Sequence, residues 1–122
     1  MHDPFLKTLN SSVNQQNISF GITLVTPGGV IAGTLISAKS FIDGFADSFS
    51  RAWPGGPNED VRGGFVAWGE PGSERIHEEF IHLKDARYVF GNGVAPSNGD
   101  GMLWRGSLDS ISGFSLGGLI QN

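Results

Sequence analysis

Between Ile18 and Ile36 the pattern of apolar residues constrains the fold more than any other part of the chain. Ile18, Phe20, Ile22 and Leu24 alternate with small or polar residues, the spacing that puts one face of a strand in a core. Pro27-Gly28-Gly29 then turns the chain back, and Val30 to Ile36 is β-branched and apolar. The segment therefore predicts a hairpin of two antiparallel strands. Gly33 within the second strand allows a bend or a close backbone approach. At 122 residues the chain has room for one core, so the rest must pack on this hairpin.

The flanking segments change period. Asp3-Pro4 reads as an N-cap followed by proline at the first helical position, where a missing N–H costs nothing. Phe5, Leu6, Leu9 and Val13 then form one helical stripe, ended by the polar run Asn14 to Asn17. Phe41, Phe45 and Phe49 recur every four residues with Ile42 beside them, while Lys39, Asp43 and Asp47 occupy the other face. This predicts an amphipathic helix, with Ser37 and Ser40 as rival caps, Gly44 weakening its interior and Pro54 ending it.

From Trp53 to Arg75 the repeated PGGP, GG and EPG interruptions predict a long loop, with strand character only at Gly64 to Trp68. Trp53 and Trp68 would either fold back on the core or face a partner. Glu79 to Phe90 is β-like, with Ile81 and Leu83 on one face and a bend or bulge expected at Asp85-Ala86. A turn spans Gly91 to Gly101, a strand carries Met102, Trp104 and Leu108, and Phe114, Leu116 and Leu119 end the chain as a short strand. One domain results, divided into an N-terminal helix (1–17), a hairpin (18–37), a helix (38–52), a Gly/Pro-rich loop (53–76) and C-terminal strands (77–122).

Composition excludes several classes of function. A net charge of -4 and a pI near 5.1 oppose nucleic-acid binding, which needs clustered Lys and Arg. No apolar run approaches the roughly 20 residues that cross a bilayer, and His2 and Asp3 stand where a secretory signal would be basic. The chain reads as cytoplasmic, with no membrane partner. The absence of Cys removes thiolate metal sites and disulfides.

Catalytic readings are weak. Gly113-Phe114-Ser115-Leu116-Gly117 spells a nucleophile elbow, yet no His follows it to complete a triad. His77, Glu78, Glu79 and His82 offer metal-binding atoms, but His77 and His82 fall on opposite faces of a strand. GNGVAPSNGDG lacks the Gly-Lys-Ser/Thr ending of a phosphate loop. The expectation is a protein without catalytic residues, cofactor or metal. Arg105 stands out between Trp104 and Gly106 in an apolar strand, so it must reach solvent or a carboxylate, for which Asp85 and Asp109 are candidates.

Two patterns carry resemblances. ITLVTPGGVIAGTL, HLKDARYV and LWRGSLDSI resemble the strand and turn motifs of Sm-like proteins. Five or six short strands after an N-terminal helix already suggest an α+β fold with a small, strongly bent antiparallel β-barrel, and the resemblance sharpens this to an Sm-like or SH3-like barrel with the amphipathic helix as an insertion. SAKSFIDGF occupies the place of the Asp-x-x-Met-Asn uridine pocket, so RNA binding is not carried over. GITLVTPGGVIAGTLISAKSF, FIHLKDARYVFGNG and PSNGDGMLWRGSLDSISGFSLG resemble, in residues and order, the gas vesicle accessory protein U family over residues 18–50 and 76–119. Membership implies a non-enzymatic accessory protein that influences gas vesicle assembly or clustering. The expected partners are a second copy of the chain, in a homo-oligomer, and gas vesicle shell or accessory proteins. Phe41, Phe45, Trp53, Trp68 and Arg105 are the candidate interface residues. Competing readings are an Sm-like ring that binds RNA, which would need a basic pore, and a barrel that binds a small ligand under a lid made by residues 53–68.

Overall fold

The computed structural model describes residues 3–67 and 78–117. Helix α1 (Pro4–Gln16) starts as its sequence requires: the Asp3 carboxylate accepts from the Phe5 N–H, Pro4 takes the first helical position, and Asn17 closes the helix in a left-handed conformation. Strands β1 (Phe20–Thr26) and β2 (Gly29–Ile36) form the expected hairpin. Helix α2 (Ala38–Ala52) is capped by Ser37, whose hydroxyl accepts from the Ser40 N–H. It stops at Trp53, which is extended because the residue before a proline is driven out of the helical region.

Helix α3 (Glu59–Val66) lies where sequence reading expected a loop with strand character. The Asn58 side chain accepts from the Val61 N–H, and Glu59 and Asp60 sit in the first turn, where negative charge meets the positive end of the helix dipole. The interval 53–76 is thus not a continuous loop. Trp68 lies outside the described residues.

Strands β3 (Phe80–Phe90), β4 (Gly93–Ala95), β5 (Met102–Ser107) and β6 (Gly113–Leu116) follow, with a short 3-10 turn at Leu108–Ser110. All pairings are antiparallel, and β6, β1, β2 and β3 lie side by side. The far edge of β3 is shared: β5 pairs its first half and β4 its end. Among the described residues β5 and β6 do not pair, so the six-stranded sheet is open. The expected barrel is therefore corrected to an open sheet, because the last strand returns to β1 without reaching β5. The α+β class stands.

The expected bulge is present in β3. Asp85 has a positive φ of 53°, and the register of β3 shifts there against both β2 and β5. Gly33 faces this bulge: a Cβ on it would lie 2.9 Å from the Lys84 carbonyl oxygen, so only glycine lets the two backbones come so close.

The core forms on one face of the sheet. Ile22, Leu24, Ile31, Leu35, Ile81 and Leu83 meet Leu6 and Val13 of α1, with Leu108 and Ile111 closing one end. Burial of this aliphatic set is the main favourable term, at ~25 cal/mol per Å² of apolar surface. Asn10 is fully buried within this packing. Its amide donates to the Glu78 and Phe80 carbonyls, at 3.2 and 2.9 Å, and so ties α1 to the start of β3. The Asn14 side-chain oxygen Oδ1 accepts from the Ala38 N–H at 2.8 Å, linking α1 to the start of α2. Helix α2 lies on the opposite face, with Phe41 against the buried His82, ring centroids 4.9 Å apart, and Gly44 close to the Leu103 side chain.

Candidate interaction surface

Helix periodicity brings Phe41, Phe45 and Phe49 into one column, since residues four apart share a face, and Trp53, extended just past the helix end, continues it. Phe41 and Phe45 stack at 6.1 Å, Phe45 and Phe49 at 5.8 Å, and Trp53 meets the edge of Phe49 at 5.7 Å. Helix α3 adds Phe65, which sits edge-on to both Phe45 and Phe49, at 5.3 and 5.4 Å. These separations are those of favourable edge-to-face and offset pairs. Phe65 was missed by sequence reading, although Asn58, the acidic pair after it and the four-residue spacing of Val61 and Phe65 are the signals that could have found it.

The column packs on the sheet at one end and opens to solvent at the other. Phe45, Phe49 and Trp53 keep 38%, 37% and 40% of their surface exposed. Phe49 and Trp53 border a groove of about 360 Å³ with Asp60, Val61, Gly64 and Phe65. Phe41, Ile42, Phe45 and Phe65 border a second hollow of about 220 Å³, closed at one side by Arg105. A loop clamp fixes the helices: the buried Ser50 hydroxyl donates to the Asn58 carbonyl and accepts from the Asn58 N–H, at 2.9 and 2.8 Å. The charges outside the column, Lys39 with Asp43 and Arg51 with Asp47, are exposed pairs of small energetic weight.

Arg105 stands on β5 opposite His82. Its guanidinium lies 4.1 Å from the centroid of the Phe80 ring, a cation–π arrangement. Burial lowers its pKa from the ordinary arginine value, but a guanidinium remains charged at neutral pH. The structure thus brings together Phe41, Phe45, Trp53 and Arg105 on one surface, while Trp68 falls outside the described residues.

Other sites suggested by the sequence take ordinary positions. Ser115 lies within β6, paired with Thr23, in a strand rather than at a strand-to-helix elbow. His82 is buried under Phe41, and His77 lies outside the described residues. Among the described residues no three His, Asp or Glu side chains form a metal-binding group. None of the described helices is long and apolar enough to cross a membrane.

No match is found among curated proteins or among solved structures. A family model described as gas vesicle protein GvpU-like matches residues 3–119, which include both helical layers, the sheet and the aromatic column. The chain belongs to the GvpU-like family of gas vesicle proteins.

Proposed function

We propose that this protein is a non-enzymatic gas vesicle accessory protein that self-associates and contacts gas vesicle components, and that the aromatic column of α2 and α3 makes the contact with the vesicle. The observation that supports this reading is the coincidence of family with surface. A GvpU-like chain carries a contiguous set of rings, three from α2, Trp53 just after it and one from α3, and Phe45, Phe49 and Trp53 stay more than a third exposed. Rings with two side-chain torsions lose little entropy on binding and contribute strongly to interfaces. Phe41 and Phe45 anchor the column, Trp53 presents its open end, and Arg105 adds a cation beside the apolar hollow.

Co-flotation of the purified protein with isolated gas vesicles tests this reading. Wild type is expected in the buoyant fraction. Trp53→Ala removes a ring that is 40% exposed and meets Phe49 at the open end of the column, so the variant should fold normally and bind at least about tenfold more weakly. Wild-type protein left in the infranatant would reject vesicle contact. A folded Trp53→Ala variant that floats like wild type would place the contact elsewhere.

A further inference from the structure

The outer edge of β6 lies at the opposite end of the sheet from β5, on which Arg105 stands. The Gly117 N–H donates to the Gly21 carbonyl at 2.8 Å, and Ser115 and Gly113 stand opposite Thr23 and Val25. Bonded pairs alternate along an antiparallel ladder. Residues 113, 115 and 117 therefore turn their backbone groups toward β1, and Phe114 and Leu116 turn theirs outward. Among the described residues no strand lies beyond β6. The strand GFSL contains no charge and no proline, the usual devices that guard an open edge.

The side chains beside this edge are also unusual. Phe114 and Leu116 stand opposite the core residues Leu24 and Ile22, on the face covered by α1. Yet Leu116 is 67% exposed, and Phe5, whose ring meets Phe114 edge-on at 5.8 Å, is 64% exposed. Two copies of β6 can pair antiparallel about a two-fold axis passing between their Ser115 residues. Phe114 then bonds to Leu116 of the second copy and Leu116 to its Phe114, giving about four backbone hydrogen bonds. The same register sets each exposed Leu116 against the other copy's Phe114 on one sheet face, a favourable aromatic–aliphatic cross-strand pair. The strand is its own complement in hydrogen bonding and in apolar pattern, and no like charges meet at its centre.

We infer that β6 is a self-pairing edge through which two copies of this chain join their sheets. The inference rests on the self-association in the proposed function and assigns it to a surface separate from the aromatic column. So short a strand makes a weak, concentration-dependent dimer.

Sedimentation velocity over a concentration series, combined with amide hydrogen exchange, tests the inference on the full chain. Wild type should pass from monomer to dimer as concentration rises. Protection of the Phe114 and Leu116 amides should rise with it, while the Ser115 amide, already paired with Thr23, should not change. Leu116→Pro deletes an outward-facing donor and fixes φ at that position, whereas Leu116→Lys keeps the backbone intact while setting like charges across the axis. Both variants should remain monomeric at concentrations where wild type is dimeric, with unchanged circular dichroism. A wild type that stays monomeric would overturn self-association as well as this edge, and protection of Leu116 in such a monomer would assign the edge to a different occupant. A dimer that persists in folded Leu116→Lys would overturn the edge alone and leave self-association standing.

Discussion

Asn10 is the residue on which the two halves of the chain depend most directly. It is 0% exposed and spends its amide on two backbone carbonyls at the start of β3. Its removal leaves those half-buried acceptors without this donor, which costs up to about 1 to 3 kcal/mol per group. Asn10→Ala is therefore expected to lower the free energy of unfolding by that order at every pH, measured by urea denaturation. Asn10→Asp separates charge from shape. An ionised carboxylate would face two carbonyl oxygens in a dry site, so its folded-state pKa must rise above the unfolded value of about 3.9. The protonated form can still donate one hydrogen bond. The variant should come closest to wild type below that unfolded value, lose stability as pH rises through the folded-state pKa, and stay at its lowest above it. A gap to wild type that is constant from acid to neutral pH would contradict this account of the site. Arg105 is held differently, over the Phe80 ring, and its charge persists across the same range.

At the scale of elements, starts and stops are set by short-range chemistry. Ser37 caps α2 from an almost buried position, and Ser37→Ala should cost about 1 kcal/mol, visible as a lower urea midpoint with an unchanged slope. A cost near zero would mean that the Asn14 contact to the Ala38 N–H suffices to hold that end. The same locality explains what could be read from sequence. The Asp3-Pro4 start, the β1–β2 hairpin, the stop at Pro54 and the bulge at Asp85 each depend on a few adjacent residues, and all are found where their residue types place them. Helix α3 was hidden because Gly63 and Gly64 oppose helix formation, whereas the forces that hold it come from α2: Ser50 on Asn58 and the rings of Phe45 and Phe49 on Phe65. Barrel closure was misread for a related reason. Whether a last strand meets β5 or β1 depends on partners far apart in sequence, and alternation within Phe114 to Leu116 reads the same for either neighbour. The α2 part of the candidate surface was legible as a periodic stripe, but its groove was not, since the second wall is α3.

For the whole molecule, the two proposed surfaces have different consequences when each is lost. The aromatic column lies on α2 and α3, over the face that includes His82 and Leu103, and β6 is at the far edge of the sheet. A dimer joined through β6 would carry two columns and could bridge two vesicles, whereas a monomer would carry one and could only coat. Linking two weak sites in one particle raises the effective concentration at the second contact, so bridging should depend steeply on dimer formation. Mixed with isolated gas vesicles, wild type should therefore both bind and cluster them, with clustering read by light scattering and binding by flotation. Leu116→Lys should still float with the vesicles but fail to cluster them. Trp53→Ala should form the dimer and do neither. Clustering by folded, monomeric Leu116→Lys would show that one copy already holds two vesicle-binding surfaces, and the separation of roles between column and edge would then fail.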